Sequence, residues 1–171
     1  CSVSNVDFGI YFGCDGSLNL KNSSFTECAT GVKISHKGTG TRTDVIENCT
    51  FTDCGIKDGK LAGDSAAIKY KSTNGATLTL TNNTITGTLT KDTFGDIRLN
   101  NVTATITPNG TTTTVNTGIK DTPETITGKV TVDDKGTITH VQEEGPTTIV
   151  IISPTQDTPK TDDCLLYTSP S

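Results

Sequence analysis

The chain has 171 residues, 19 Asp and Glu against 14 Lys and Arg, a net charge of −5 and 5% aromatic residues. This balance argues against nucleic acid as a partner. No stretch is long and apolar enough to cross a membrane as a helix, and the length fits one domain with an appendage. Thr, Ser, Asn and Gly are abundant and only 19% of residues are charged, as in secreted bacterial β-proteins, so an extracellular or cell-surface location is expected.

In chain order, one phrase recurs: Leu20-Lys21-Asn22-Ser23-Ser24-Phe25, Ile46-Glu47-Asn48-Cys49-Thr50-Phe51 and Leu80-Thr81-Asn82-Asn83-Thr84-Ile85. A second phrase follows each copy: Gly31-Val32-Lys33-Ile34, Ala67-Ile68-Lys69-Tyr70 and Asp96-Ile97-Arg98-Leu99. Gly9-Ile10-Tyr11-Phe12 is a further copy of the second phrase, which makes Val3, Phe25, Phe51 and Ile85 equivalent anchors. Both phrases alternate with period 2 and are rich in β-branched residues, so short strands are predicted. A repeat of roughly 20 to 35 residues signals stacked units that bury their apolar sides only against one another. Predicted inward residues are Ile10, Phe12, Leu18, Leu20, Phe25, Cys28, Val32, Ile34, Ile46, Phe51, Cys54, Ile68, Tyr70, Leu78, Leu80, Ile85, Ile97 and Leu99. An insertion near residues 55–65 is expected to loop out on one side.

The two phrases resemble the right-handed parallel β-helix of pectate lyases and many bacterial surface proteins, over roughly residues 2–102. The fold expected from that resemblance is an all-β solenoid, truncated, with rungs over 1–103. The resemblance also implies that Asn22, Asn48 and Asn82 form an inward, hydrogen-bonded Asn ladder. The sequons at these positions are then fold chemistry, because an inward side chain has no room for a glycan. Two further sequons start at Asn109 and Asn101.

Residues 104–153 lose the phrase. They fit either degenerate final coils or the start of a β-sandwich module. Val130-Thr131-Val132 and Ile138 alternate around Asp133-Asp134-Lys135-Gly136, a hairpin signal. Residues 154–163 read as a Pro/Thr linker. Residues 164–171 resemble the translated adapter of a transposon-based sequencing library, and such a scar lies outside fold reasoning. With no Met and a start on Cys1 inside a repeat, the chain is expected to be an internal piece of a longer protein, its signal and anchor elsewhere.

The cysteines fall in phase, Cys28 with Cys54 and Cys1 with Cys49, and are expected as free, buried thiols. No CxxC pair favours zinc. The candidate binding residues lie outward: Lys33, Lys69 and Arg98 in one basic row with Tyr11 above, and Glu27 with Asp53 as an acidic pair on the neighbouring strand. Such a row suits the carboxylates of an acidic polysaccharide or host glycan. No catalytic residue or metal ligand is assigned. Asp133-Asp134 and Asp162-Asp163 fall in a turn and the linker. Ser35-His36-Lys37-Gly38 resembles part of a hydrolase motif without its Asp partners, and His36 and His140 are expected at the surface. The first functional expectation is therefore a non-catalytic scaffold, adhesin or glycan-contact surface without a cofactor. The alternative, from the resemblance, is part of a polysaccharide lyase or hydrolase, in which Ca2+ would serve the lyase.

Overall fold

The computed structural model describes residues 1–57, 60–61, 66–87, 95–109, 111–120, 122–142 and 148–152. The linker and adapter expectations lie outside these residues, as does most of the 55–65 insertion. Every regular element among the described residues is a β-strand. In chain order these are β1 (Ser2–Ser4), β2 (Phe8–Phe12), β3 (Asn19–Lys21), β4 (Ser24–Thr26), β5 (Thr30–His36) and β6 (Thr43–Glu47). Next come β7 (Thr50–Thr52), β8 (Ile56–Lys57), β9 (Lys60–Leu61), β10 (Ile68–Ser72), β11 (Thr77–Thr86) and β12 (Ile97–Asn100). The last six are β13 (Thr103–Pro108), β14 (Thr113–Asn116), β15 (Glu124–Thr127), β16 (Lys129–Val132), β17 (Ile138–Gln142) and β18 (Thr148–Ile152).

The chain alternates between two sheets. A nine-stranded sheet holds β1, β3, β4, β6, β7, β11, β13, β16 and β17, and a seven-stranded sheet holds β2, β5, β10, β12, β14, β15 and β18. Pairing between successive repeats is parallel and in the register the phrases dictate. Val3 pairs with Phe25, Phe25 with Phe51 and Phe51 with Ile85. Ile10 pairs with Val32, Val32 with Ile68 and Ile68 with Ile97. The insertion contributes a two-stranded antiparallel ribbon, β8 with β9.

Single residues in the left-handed region turn the corners. Asn5, Asn22, Glu27, Asn48, Asp53, Asn82 and Asn101 have φ between 50° and 58°, a conformation that Asn and Asp tolerate better than other non-glycine residues. The N–H groups of Asn5, Asn22, Glu27, Asn48 and Asp53 bond the next layer, as in Asn22 to the Glu47 carbonyl at 3.1 Å and Asn48 to that of Thr81 at 3.0 Å. This corrects the ladder expectation. Asn22, Asn48 and Asn82 are in phase but exposed, because a left-handed residue at a corner directs its side chain outward. Asn82 Nδ2 does donate to Asn48 Oδ1, at 2.6 Å on the surface. Exposure also removes the steric argument against glycans at these sequons. The buried amide belongs to the next position: Asn83 accepts from the Cys49 N–H at 2.9 Å and donates to the Ile46 carbonyl at 2.9 Å.

The predicted inward residues line one core. Phe25 and Phe51 are fully buried and stack with centroids 5.1 Å apart, 14° from parallel. Their rings explain the glycines that open the second phrase. A Cβ at Gly31 would lie 2.6 Å from Phe51 Cδ1, and one at Gly9 would lie 2.5 Å from Phe25 Cδ1. Ile10, Phe12 and Leu18 pack against the core but are only partly buried, because they belong to the first layer.

Residues 103–152 join the same two sheets. β13 and β14 pair parallel with β11 and β12, and β18 pairs parallel with β14. β15, β16 and β17 then pair antiparallel, and Val130, Val132, Ile149 and Ile151 complete the apolar cluster. The hairpin expected around Asp133 to Gly136 is β16–β17. Asp133 Oδ1 accepts from the Thr137 N–H at 2.7 Å and the Lys135 N–H at 2.9 Å, and the Thr137 bond chiefly holds its carboxyl below the usual range.

Cys28, Cys49 and Cys54 are free and buried, whereas Cys1 and Cys14 are free but exposed. Burial raises the pKa of the three core thiols, with Cys54 pushed up to about 12. In the unfolded chain these thiols ionise near pH 8.5; in the folded chain they ionise higher. Their contribution to stability is therefore complete below about pH 8.5 and lost as pH rises towards the folded values. Urea midpoints should fall between pH 8 and pH 11, and Cys54→Ala should fall less steeply over that interval. An identical slope in the variant would remove Cys54 from the account.

Candidate functional site

The seven-stranded sheet presents its alternate residues outward, and parallel pairing aligns them. Tyr11 on β2 pairs with Lys33 on β5, Lys33 with Lys69 on β10, Lys69 with Arg98 on β12, and Arg98 with Asn116 on β14. The row follows from the sequence directly: Tyr11, Lys33, Lys69 and Arg98 each stand between two inward apolar residues. Burial grades along it. Tyr11 is 56% exposed, Lys33 and Lys69 are half-buried, and Arg98 is 6% exposed. Lys33 Nζ lies 4.5 Å from the centroid of Phe8 and 5.4 Å from that of Tyr11, cation–π contacts worth roughly 0.5–1 kcal/mol at such a site.

A second outward rank runs beside the first, where Ser35 pairs with Lys71 and Lys71 with Asn100. Two shallow grooves result. One, of ≈ 450 Å3, is lined by Tyr11, Lys33, Ser35, Lys37, Lys69 and Lys71 among others. The other, of ≈ 170 Å3, lies across Lys69 and Lys71 towards Arg98, Asn100 and Asn116. Lys69 and Lys71 form the shared wall, and among the described residues no carboxylate lines either groove. A chain of net charge −5 thus presents Lys33, Lys37, Lys69 and Lys71 on one face, with Arg98 buried beside them.

Glu27 and Asp53 sit elsewhere. They follow β4 and β7 at left-handed corners, with φ of 52° and 50°, rather than outward on a strand. Their N–H groups bond the carbonyls of Thr52 and Thr86 at 2.9 and 3.0 Å. The acidic pair therefore exists as stacked corner residues and does not enter the grooves. His36 is also corrected: it is 3% exposed, its Nε2 lies 3.1 Å from the Gly40 carbonyl, and it closes the floor of the larger groove. It ends a strand whose inward column is Thr30, Val32 and Ile34, so period 2 carries it inside. The side chain of His140 lies outside the described residues.

A buried polar cluster escaped the sequence reading. Arg42 and Asp44 are almost fully buried and form an ion pair, with Arg42 Nε 2.8 Å from Asp44 Oδ2. Asp44 also accepts from the Tyr70 hydroxyl and, at 2.6 Å, from the Leu18 N–H. Arg42 Nη1 donates to the Cys14 carbonyl at 2.7 Å, and the guanidinium lies 4.5 Å from the Phe12 ring. Burial, then the bond to Asp44, raises the pKa of the Tyr70 phenol. The cluster ties residues 14 and 18 to the core and anchors β10 from inside, between the outward Lys69 and Lys71. Its signal was available: Asp44 stands in the inward column of Leu78 and Ala104.

Among the described residues no group of three or more His, Cys, Asp and Glu gathers as a metal site, and no helix is long and apolar enough to cross a membrane. Comparison with protein-family models, curated proteins and solved structures gives no match.

Proposed function

We propose that the chain forms part of a right-handed parallel β-helix in a secreted or cell-surface bacterial protein, and that it acts as a non-catalytic surface for acidic glycans. Alternating visits to two sheets, with each visit advancing one parallel register, support the solenoid. Parallel crossover connections are right-handed in nearly all sheets, because strand twist feeds the crossover that way. The observation that carries the glycan reading is the aligned row of Tyr11, Lys33, Lys69 and Arg98. Neighbouring members are about 4.8 Å apart, so a linear polyanion laid across the strands meets Lys33 and Lys69 in succession, with the exposed Lys71 beside them. Phe8 and Tyr11, both exposed, offer apolar ring faces at one end of the row.

A glycan array carrying uronate, sulfated and neutral polymers tests this. The full chain should retain the acidic polymers, less so as salt rises, because exposed charges are screened beyond about 8 Å at physiological ionic strength. Lys33→Ala and Lys69→Ala should each weaken retention by up to about 1 kcal/mol. Retention of neutral sugars only, or none, leaves the scaffold reading. Release of new sugar chain ends during incubation would instead favour the lyase or hydrolase alternative.

A further inference from the structure

The floor of the larger groove holds a group that a row of outward cations does not explain. His36 lines that floor and is 3% exposed. Its Nε2 lies 3.1 Å from the Gly40 carbonyl. A carbonyl only accepts, so Nε2 carries the proton and Nδ1 of the neutral ring is an acceptor. That Nδ1 is buried and has no hydrogen-bond partner among the described residues. Buried polar atoms are nearly always satisfied, so one that is not calls for a reason. Asp15, the carboxylate of the neighbouring turn, lines a separate space of ≈ 180 Å3 that shares only His36 with the groove.

Four lysines line the same groove: Lys33 and Lys37 on either side of His36 in sequence, and Lys69 and Lys71 from β10. Lys37 and Lys71 are exposed, and Lys33 and Lys69 are half-buried. Ser35 and Thr73 add hydroxyls to the lining. Each ammonium is a compact point charge with rotatable donors, without the planar fork that lets Arg grip the two oxygens of a carboxylate. The Arg of the row, Arg98, is buried and lines the other groove. A concave space of ≈ 450 Å3 walled by lysines therefore suits a tetrahedral anion of concentrated charge better than a planar one of single charge.

We propose that this groove binds the phosphomonoester of a phosphorylated sugar, an inference that rests on the reading of this face as a surface for acidic glycans. A phosphomonoester carries about −1.5 to −2 charges at pH 7 and three acceptor oxygens, and its second ionisation falls near pH 6. Its oxygens accept from the lysines, and the P–O–H of its monoanion donates to Nδ1 of His36. When the ring holds the proton instead, Nδ1–H donates to the dianion, so the pair is complementary with the proton on either side. A carboxylate, a sulfate ester or a phosphodiester is fully ionised at neutral pH and has no such proton to give. The sugar is part of the ligand because the groove is far larger than a phosphate, and because Tyr11, 56% exposed, lines it with a ring face on which a sugar can lie.

The test is calorimetric titration of the full chain with glucose 6-phosphate, its methyl diester, glucose 6-sulfate, glucuronate and inorganic phosphate, run beside the acidic polymers. Glucose 6-phosphate should bind about tenfold more tightly than the diester, the sulfate or glucuronate, the worth of one hydrogen bond to a charged group. It should also bind more tightly than inorganic phosphate. Lys37→Ala and Lys71→Ala, both at exposed positions, should each weaken it about threefold. In His36→Gln the amide can keep the bond to the Gly40 carbonyl but offers nothing in place of Nδ1. This variant, its fold checked by circular dichroism, should lose the preference for phosphate over sulfate. Diester, sulfate or glucuronate bound as tightly as glucose 6-phosphate overturns the inference and leaves the acidic-glycan reading standing. Failure to bind any anion, acidic polymers included, ends both. Inorganic phosphate bound as tightly as the sugar phosphate removes the sugar from the site and overturns the inference. Unchanged affinity in both lysine variants does the same, as does a preference retained by folded His36→Gln.

Discussion

Replacing Phe51 with Ala should lower the free energy of unfolding by about 3–5 kcal/mol, read from the urea midpoint at an unchanged m-value. Phe51 is fully buried, pairs on its strand with Phe25 and with Ile85, and stacks face to face on the Phe25 ring. Truncation removes its transfer free energy and leaves a void that neighbours cannot fill, because parallel pairing on both sides fixes β7. Repacking from Gly31 is unavailable, since that residue has no side chain to move. Single domains are commonly stable by only about 5–15 kcal/mol, so the loss is a large share of the whole. A cost below about 1 kcal/mol would mean that the stacked rings are not the centre of the core. Gly31→Ala tests the same contact from the other side. Its Cβ would sit 2.6 Å from the Phe51 ring and 2.6 Å from the Ala67 carbonyl, and the backbone atom cannot yield.

The repeat was legible because its physics is local. Alternation places Val32 and Ile34 inside and Lys33 outside without reference to any other strand, and the phrase alignment then sets the register that brings Lys33 beside Lys69. The corner chemistry was half legible. Asn at a recurring position does signal a special backbone conformation, but a resemblance assigned its side chain inward, whereas a left-handed φ turns it out and leaves Asn83 to serve the interior. Glu27 shows the same limit. Its place in the repeat matched Asp53, yet nothing in a Glu announces a left-handed corner, and it read as a strand residue. His36 was misjudged because a lone His among Lys and Gly reads as surface, although its parity with Val32 and Ile34 points inward. The Arg42–Asp44 pair was hidden for a related reason. Arg-Thr-Asp ahead of an apolar run looks like a solvated entry to a strand, and only the company of Tyr70, 26 residues on from Asp44, makes its burial tolerable.

Asp44→Leu should cost about 3–5 kcal/mol, because removing one partner leaves the other charge buried and unpaired. Arg42 would keep its guanidinium inside with one remaining bond to the Cys14 carbonyl, and both the Tyr70 hydroxyl and the Leu18 N–H would lose their acceptor. Arg42 Nη2 already lacks a hydrogen-bond partner, so the cluster has no spare acceptor to redistribute. An apolar replacement of the whole set, Arg42→Met with Asp44→Leu and Tyr70→Phe, should recover much of the loss, since the charges then no longer need each other. The difference between the triple variant and the sum of the single variants measures the coupling. The singles and the triple also divide two roles. If the cluster only neutralises itself, the triple variant restores both stability and glycan retention. If its bonds to residues 14 and 18 and to β10 hold the grooves in shape, the triple variant regains stability while Lys69 and Lys71 lose their fixed spacing, and retention of acidic polymers stays low. An Asp44→Leu change within about 0.5 kcal/mol of wild type, the range of ordinary surface substitutions, would show that Asp44 is not the buried hub of this end of the molecule.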